Sequence, residues 1–378
     1  MGSLKICTLW GIPIRLHFSW WLIFFLLLFS LARMVYPSFY PNLSPAECWT
    51  MSAVATTMFV VSLLAHEIGH AVAARRFGIP VHSVELFVFG GVARMMGFTR
   101  RPRDEFFLAA AGPLVSMGFA VLSAGVYLLL KYPLAVASPV VDVALHVALF
   151  NAATVAFNLI PAYPLDGGRV LQGVLWHFSR KRALAAAVPA AIGYALAAAL
   201  VGLGAVRIAL GMLANGSPDL RRLLTGNIWF VLIGVFVAVA ARKSFRGVRV
   251  MERVAAMNVA QALDGRIQEL SPTMTLAAAR GLAFPTSDLV AAPVLDEAGR
   301  VAAVLHADAA ADAPREATVR DVAEPVPDAL RAVETTDLFE AVLRMARRQN
   351  VWLIVEDADG RYVGMVTQAS LRWAFRDE

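Results

Sequence analysis

Three residues suited to metal chemistry lie close together in the segment SLLAHEIGHAVAARR, residues 62–76. They are His66, Glu67 and His70, and most of their neighbours are small or apolar. On a helix, histidines four residues apart lie on one face and can both bind a single zinc ion. The glutamate between them points in another direction and can take a proton from a water molecule beside the metal. The spacing therefore predicts two metal ligands and a general base.

A third ligand is needed, because a catalytic zinc site normally has three protein ligands and one open position. The best candidate is Asp166 in NAATVAFNLIPAYPLDGGRVLQG, residues 151–173, where prolines and glycines predict a broken or tightly turned segment. The simpler interpretation of Asp166 is an N-cap or turn residue, since Asp-Gly is a common turn dipeptide. Together with the histidine pair, the ligand interpretation is favoured. The nearest rival, Asp142, lies toward the other end of the preceding apolar block.

The composition indicates that these residues lie in a membrane protein. Only 16% of the 378 residues are charged, 58% are hydrophobic and the mean hydropathy is +0.63, whereas ordinary soluble domains carry about 25% charged residues. Six apolar blocks are about as long as a helix that crosses a bilayer; they lie at approximately 17–36, 50–74, 106–130, 139–160, 183–213 and 226–242. We therefore expect a polytopic α-helical membrane protein with about six transmembrane helices.

The membrane setting strengthens the metal interpretation. An ionisable side chain at membrane depth costs at least about 2.5 kcal/mol. Three such groups within five positions are hard to explain as chance residues at a helix interface. A bound cation with a third ligand would offset the cost of burying them.

Domain organisation and orientation follow from where charge is placed. After about residue 250 the acidic residues and Asp-x-x-Gly turns become frequent, which indicates a soluble domain. We predict a membrane domain at 1–245 and a second domain at 250–378. With the N-terminus in the cytoplasm, sixteen Lys and Arg residues up to Arg249 lie on the cytoplasmic side and four on the other. This asymmetry predicts that both termini are cytoplasmic.

The two motifs together closely resemble the site-2 protease family of intramembrane zinc metalloproteases. The second motif of that family has the form Asn-x-x-Pro-x-x-Pro-Leu-Asp-Gly, and the segment from Asn158 to Gly167 matches it completely. The resemblance covers roughly residues 1–245, including FGG at 89–91 and AAGPLVS at 110–116. One departure is Ser116, where related sequences often carry asparagine.

The resemblance implies a full set of roles. His66, His70 and Asp166 would bind one Zn²⁺ per chain, and Glu67 would be the general base for peptide hydrolysis within the membrane. Asn158 would lie close to the metal and position the substrate or stabilise the oxyanion. The substrate would be a membrane-anchored protein, such as a transcription factor, a sigma-factor precursor or an anti-sigma factor.

Two further segments, SLKICTLWGIPIRLHF and GIPVHSVELFVFGGVARM, have short, partly alternating patterns that predict strands rather than spans. In the family, such segments form a sheet partly in the membrane near the active site. An exposed edge of that sheet could hold an extended substrate by strand addition. The alternative for both segments is simple connecting loop.

The C-terminal region reads as two copies of one pattern, at 254–310 and 319–376. It resembles a tandem of cystathionine-beta-synthase (CBS) domains, an α/β regulatory module that often binds adenine nucleotides. Thr367 is present in the second copy, but Ser370 replaces the aspartate expected to hold a ribose, and His306 replaces threonine in the first. Nucleotide binding, a structural role and homodimer formation all remain open at this point.

The competing function class is a membrane transporter or channel with a CBS-type regulatory tail, because charges within a membrane also mark ion pathways. An inverted repeat of spans, or a second His-carboxylate cluster along a pore, would favour it, and the sequence shows neither.

The net charge of +6 is explained mainly by membrane topology. No basic stripe interleaved with aromatic residues indicates a nucleic-acid partner. The expected partners are the lipid bilayer and a membrane-anchored protein.

Overall fold

A computed structural model of the chain describes residues 3–87, 90–95, 99–136, 138–215, 228–286, 289–348 and 350–374. The chain forms two compact units, Met1–Val248 and Arg249–Glu378. The first residue of the FGG segment, Phe89, lies outside the described residues.

The first unit contains long apolar helices joined by short connections. Its first span combines α1 (Trp20–Ser30), a π-helical turn (Leu31–Val35) and α2 (Tyr36–Phe39). The others are α3 (Pro45–Arg76), α4 (Pro102–Lys131), α5 (Val141–Asn158), α7 (Arg182–Asn215) and α8 (Ile228–Ala255), while a shorter helix, α6 (Asp166–Ser179), lies between α5 and α7. Within the described residues, six helices are long and apolar enough to cross a membrane. The predicted number of spans is confirmed.

Large apolar side chains cover the outer faces of these helices. Leu22, Leu114 and Val121 are 66%, 66% and 65% exposed. In water such surfaces would favour aggregation, but in a bilayer they contact lipid tails. The exposed apolar side chains therefore agree with a protein that is integral to the membrane.

Helix α3 carries the histidine pair, and its ends are set by local sequence. Ser44 and Glu47 form a capping box at the start, and Pro45 occupies the first turn. The helix ends at Arg76, and Gly78 follows with a φ of +74°. At about 1.5 Å per residue, His70 lies about 9 Å from this end of the helix. The pair is therefore near one end of a span rather than at its centre.

A four-stranded sheet forms from the two segments predicted as strands. Its strands are β1 (Ser3–Leu9), β2 (Ile12–His17), β3 (Val81–Phe87) and β4 (Gly90–Met95), in the order β1-β2-β3-β4. β2 pairs in parallel with β3, and the other two pairings are antiparallel. Among the described strands, β4 is one edge of this sheet. The strand prediction is confirmed, and the loop alternative is wrong.

Helix α8 is longer than the predicted sixth block, which ended at residue 242. It runs to Ala255. Arg242, Lys243 and Arg246 lower the hydropathy without breaking the helix, because Lys and Arg are good helix formers. The end of an apolar block is therefore not the end of this helix.

The second unit repeats one set of elements. The first copy contains α9 (Leu276–Ala283), β5 (Ala291–Leu295), β6 (Val301–His306) and α10 (Ala307–Asp312). The second copy begins with a short helix, α11 (Val319–Val322), and continues with β7 (Arg331–Val333), α12 (Leu338–Arg347), β8 (Trp352–Glu356), β9 (Tyr362–Thr367) and α13 (Gln368–Ala374). The two hairpin turns match as well: Gly299 and Gly360 have φ of +76° and +75°, which favours glycine at both positions.

Candidate metal centre

His66, His70 and Asp166 converge although a hundred residues separate the first from the last. His66 Nε2 lies 3.2 Å from Asp166 Oδ2, His70 Nε2 lies 3.3 Å from the same oxygen, and the two Nε2 atoms are 3.3 Å apart. Among the described residues, this is the one group of three or more His, Cys, Asp or Glu side chains placed to hold a metal ion.

The spacing of the three atoms fits zinc. In a tetrahedral site with metal–ligand bonds of about 2.0–2.1 Å, ligand atoms lie about 3.3–3.4 Å apart. The three observed separations, 3.2, 3.3 and 3.3 Å, are close to the edges of one face of such a tetrahedron. Two imidazoles and one carboxylate leave the fourth corner open, as a catalytic zinc site requires.

Hydrogen bonds on the far side of each imidazole direct Nε2 toward the centre. The Nδ1–H of His70 donates to the Leu108 carbonyl at 2.8 Å, which requires the tautomer whose Nε2 has a free lone pair. His66 Nδ1 lies 2.9 Å from the Ser116 hydroxyl. Such partners fix the orientation and basicity of metal-binding histidines. Both come from α4, so this helix orients the ligands that α3 supplies.

Close packing of α4 against the imidazoles requires a glycine. A Cβ at Gly112 would collide with His70 Nε2 and lie 2.5 Å from His66 Nε2. Any side chain there would occupy the space in which the three ligand atoms meet. Gly112 belongs to the AAGPLVS segment, so the contact gives that segment a physical role.

Glu67 lies beside the three ligand atoms and is buried, with 8% of its surface exposed. Its carboxylate accepts a hydrogen bond from the backbone N–H of Ala93 in β4. The sheet edge therefore holds this carboxylate next to the candidate metal position. A buried carboxylate close to the three ligand atoms is suited to proton transfer.

Asp166 is the first residue of α6, and hydrogen bonds to α6 and α7 fix the loop before it. The Tyr163 N–H donates to the Pro189 carbonyl of α7 at 3.0 Å, and the Tyr163 hydroxyl donates to Gln172 Oε1 in α6 at 2.6 Å. Tyr163 is 2% exposed. The loop is tightly turned, as the prolines and glycines predict, and it places Asp166 at the start of a helix.

Asn158, the remaining sequence-predicted site residue, is the last residue of α5 and is half-buried. It precedes the turn that leads to Asp166 by only a few residues.

Ser116 was singled out in the sequence only as a departure from the family pattern. The structure shows that its hydroxyl contacts His66. Sequence reasoning missed the role of Ser116 and the Leu108 carbonyl, because both depend on how α3 and α4 pack.

Comparisons with known proteins agree with this geometry. Residues 54–137 and 133–202 match the family model described as Peptidase family M50, and residues 319–377 match the CBS domain model. Over 258 residues the chain is 33% identical to Rip3 of Mycobacterium tuberculosis, covering 68% of this chain and 62% of that protein. Over 254 residues it is 30% identical to Zinc metalloprotease MJ0392 of Methanocaldococcus jannaschii, covering 66% of this chain and 62% of that protein. The chain thus spans less than two thirds of the length of these relatives.

A solved structure described as the site-2 protease from Methanocaldococcus jannaschii is 25% identical, with a TM-score of 0.40, covering 64% of this chain and 94% of that chain. The family assignment depends on the sequence matches, which include both halves of the candidate metal centre. The membrane-spanning unit of this chain therefore belongs to peptidase family M50, the site-2 protease family, and the chain carries a CBS domain in its C-terminal unit.

Proposed function

We propose that this protein is an intramembrane zinc metalloprotease that hydrolyses a peptide bond within or near the transmembrane segment of a membrane-anchored protein. The observation that carries the proposal is the meeting of two imidazole nitrogens and one carboxylate oxygen at tetrahedral spacing, beside Glu67, in a unit made of membrane-length helices. Membership of peptidase family M50 and a relative named a zinc metalloprotease support it.

Each residue of the site has a defined task in this reaction. His66, His70 and Asp166 would hold Zn²⁺, which when bound supplies Lewis acidity toward the scissile carbonyl and increases the acidity of water. Glu67 accepts the proton of the attacking water and later delivers it to the leaving amine. The amide of Asn158 positions the substrate or donates to the developing negative charge on the carbonyl oxygen.

The edge strand β4 offers a place to bind the substrate. A transmembrane helix protects its own peptide bonds, so the substrate must be extended before it is hydrolysed. Strand addition to β4 would supply backbone hydrogen bonds to an extended segment. Because the Ala93 N–H of β4 contacts Glu67, a peptide added to this edge lies next to the base.

The substrate class and the orientation follow from the family resemblance and the charge distribution. Membrane-anchored regulators such as transcription factors, sigma-factor precursors or anti-sigma factors are the proposed substrates. Both termini are proposed to be cytoplasmic, in the cell membrane. Arg75 and Arg76, at the end of α3 that is nearer His70, would then lie at the cytoplasmic surface. Water would reach the site from that side.

The CBS-containing unit is proposed to regulate the protease, either by binding an adenine nucleotide or as a structural module that pairs two chains. The Thr367 hydroxyl donates to the Asp264 carboxylate at 2.6 Å, and Thr367 also exchanges hydrogen bonds with Ser370 at the start of α13. These contacts give both residues a structural role within the chain, which favours a structural module over nucleotide binding. Thermal unfolding of the full chain with and without AMP or ATP separates the two roles.

The alternative is a transporter or channel with the same tail. Ion pathways need several polar sites along a pore. Within the described part of the chain, the metal-type cluster at His66, His70 and Asp166 is a single site, and its spacing fits a bound metal. The geometry therefore favours hydrolysis over transport.

The deciding experiment compares the purified wild type with Glu67→Gln. We expect about one zinc per chain in both proteins, and a cleavage rate of a membrane-embedded peptide at least about 100-fold lower in the variant. Glu47→Gln is the matched control, because Glu47 lies at the other end of the same helix and a capping box accepts glutamine. A zinc-free wild type, or undiminished cleavage by Glu67→Gln, would falsify the proposal.

A further inference from the structure

A second buried charge cluster lies in the membrane unit and takes no part in the proposed chemistry. Glu105, in the first turn of α4, is 3% exposed. Its carboxylate binds Arg169 Nε at 2.9 Å and lies 3.6 Å from an Arg182 nitrogen. The Thr99 hydroxyl also donates to it. We call Thr99, Glu105, Arg169 and Arg182 the Glu105 cluster.

The cluster joins three helices. Glu105 belongs to α4, Arg169 to α6, and Arg182 is the first residue of α7. Arg182 also donates to the Thr99 carbonyl at 3.0 Å, and its guanidinium lies 4.7 Å from the centre of the Trp176 ring in α6. A buried carboxylate needs such partners, because a lone charge away from water is strongly disfavoured. The cluster therefore fixes where these three helix ends meet.

The cluster is close in sequence to both halves of the metal centre. Arg169 lies three residues after Asp166, so both side chains are carried by the first turns of α6. Glu105 lies three residues before Leu108, whose carbonyl orients His70. One ion pair thus connects the turn of α6 that presents the carboxylate ligand to the turn of α4 that orients an imidazole ligand.

The backbones of α4 and α6 touch at the same level. A Cβ at Gly173 would lie 2.9 Å from the Phe106 backbone nitrogen and 3.1 Å from its Cα. Gly173 is one turn after Arg169, and Phe106 is next to Glu105. The helices are in direct contact here, so loss of the ion pair shifts one helix along the other. A flexible surface contact would instead absorb the change locally.

We infer that Glu105 is a positioning residue. By binding Arg169 it fixes α6 against α4, and it thereby places the Asp166 carboxylate where it can bind the same metal ion as His66 and His70. The pair acts through Asp166 and touches neither substrate nor metal. The inference rests on the proposed function, since it assumes that Asp166 is a zinc ligand.

The test measures metal binding in the purified full-length protein in detergent, independently of proteolysis. The variants are Glu105→Gln, Arg169→Met and the double variant. We expect each single change to raise the zinc dissociation constant about 10–100-fold in chelator competition. The double variant should be no worse than either single one, because both changes break the same pair. The visible spectrum of the Co²⁺-loaded protein should shift as the coordination changes.

A matched control removes an equivalent buried carboxylate elsewhere. Asp142 in α5 is 6% exposed, accepts from the Tyr40 hydroxyl at 2.6 Å and lies 3.7 Å from Lys131 Nζ. It is at the opposite end of α5 from Asn158, about 24 Å away along the helix. Asp142→Asn should keep the wild-type zinc dissociation constant and cobalt spectrum. If Asp142→Asn weakens zinc as much as Glu105→Gln, the effect is general instability and the inference fails.

Two outcomes distinguish this inference from the proposed function. A wild-type protein that binds zinc, with Glu105→Gln of equal affinity and equal cobalt spectrum, overturns only the positioning role. A wild-type protein that binds no zinc overturns the proposed function and the inference with it. If Glu105→Gln does not fold, Arg169→Lys decides, because it keeps the charge and loses the planar guanidinium that contacts Glu105. Wild-type zinc affinity in Arg169→Lys would then contradict the positioning role.

Discussion

Single hydrogen bonds determine how the histidines present their nitrogens. Ser116 is 1% exposed, and its hydroxyl lies against His66 Nδ1 on the side away from the metal position. Leu108 supplies the equivalent contact to His70 through its backbone carbonyl. A backbone carbonyl cannot be removed by substitution, but the hydroxyl can, so Ser116 is the contact that mutation can probe.

We expect Ser116→Ala to raise the zinc dissociation constant at least about 10-fold, because His66 loses the partner that orients its ring. Chelator competition at pH 7 measures the change. Ser52→Ala is the control, since Ser52 is equally buried in α3 but donates within its own helix, to the Cys48 carbonyl at 2.7 Å. Equal zinc affinity in Ser116→Ala and wild type would show that the hydroxyl does not orient His66.

At this scale the sequence predicts residues whose roles depend on local spacing. The spacing of His66 and His70 predicts a shared face of a helix, and the prolines and glycines around Asp166 predict a tight turn. Gly112 and Ser116 could not be assigned in the same way, because their roles depend on which face of α4 meets α3. Tertiary packing determines that face, and no local pattern in α4 specifies it.

The loop between α5 and α6 is the element that places Asp166, the proposed third ligand. Residues 159–165 are held by Tyr163, whose backbone binds α7 and whose hydroxyl binds Gln172 in α6. Both side chains are buried, at 2% and 1% exposure. The loop thus couples the start of α6 to two neighbouring helices, and Asp166 follows it directly.

We predict that Tyr163→Phe destabilises the membrane unit by about 1–3 kcal/mol, because Gln172 Oε1 loses its buried donor. Zinc affinity should fall as well, since Asp166 is three residues away. Thermal unfolding in detergent and chelator competition measure the two effects. Adding Gln172→Met should restore most of the stability, because replacing both partners by apolar groups removes the unsatisfied oxygen. A double variant less stable than Tyr163→Phe would show that the hydrogen bond is not the cause.

The sequence predicts the helices and strands more accurately than the residues at which they end. Apolar length identifies the six spans, and alternation with Gly and Pro identifies the four strands of the sheet. The end of α8 was missed because hydropathy falls at Arg242 while helix propensity does not. The order of the strands, with β2 parallel to β3, is also beyond local patterns, since it depends on contacts between segments more than sixty residues apart.

For the molecule as a whole, each unit has a hydrophobic core of its own. In the C-terminal unit, Val259, Leu338 and Leu353 belong to one core cluster, and all three are fully buried. Asp264 lies in the same unit, is 8% exposed and connects β9 to the segment before α9 through Thr367. We therefore expect substitution of Asp264 to lower the stability of this unit without changing the metal centre.

The pKa of Asp264 is lowered, chiefly by hydrogen bonds from the Arg266 side chain and also by the Thr367 hydroxyl, although burial opposes the shift. A carboxyl whose pKa is lower in the folded state stabilises the fold above its ordinary pKa of about 3.9. That stabilisation is lost as the pH falls through the folded value. Asp264→Asn should therefore lower the stability of the C-terminal unit by about 1–3 kcal/mol at pH 5, and the difference from wild type should shrink toward pH 2.5.

Pulse proteolysis with pepsin across urea concentrations, between pH 2.5 and 5, measures this difference in the full-length protein. Asp312→Asn serves as the control, because Asp312 is an exposed aspartate of the same unit. Zinc affinity at pH 7 should equal that of the wild type in both variants, because neither residue lies in the membrane unit. A stability difference that stays constant over the whole pH range would show that the Asp264 charge does not stabilise the fold. Weaker zinc binding by Asp264→Asn would show that the two cores do not behave independently.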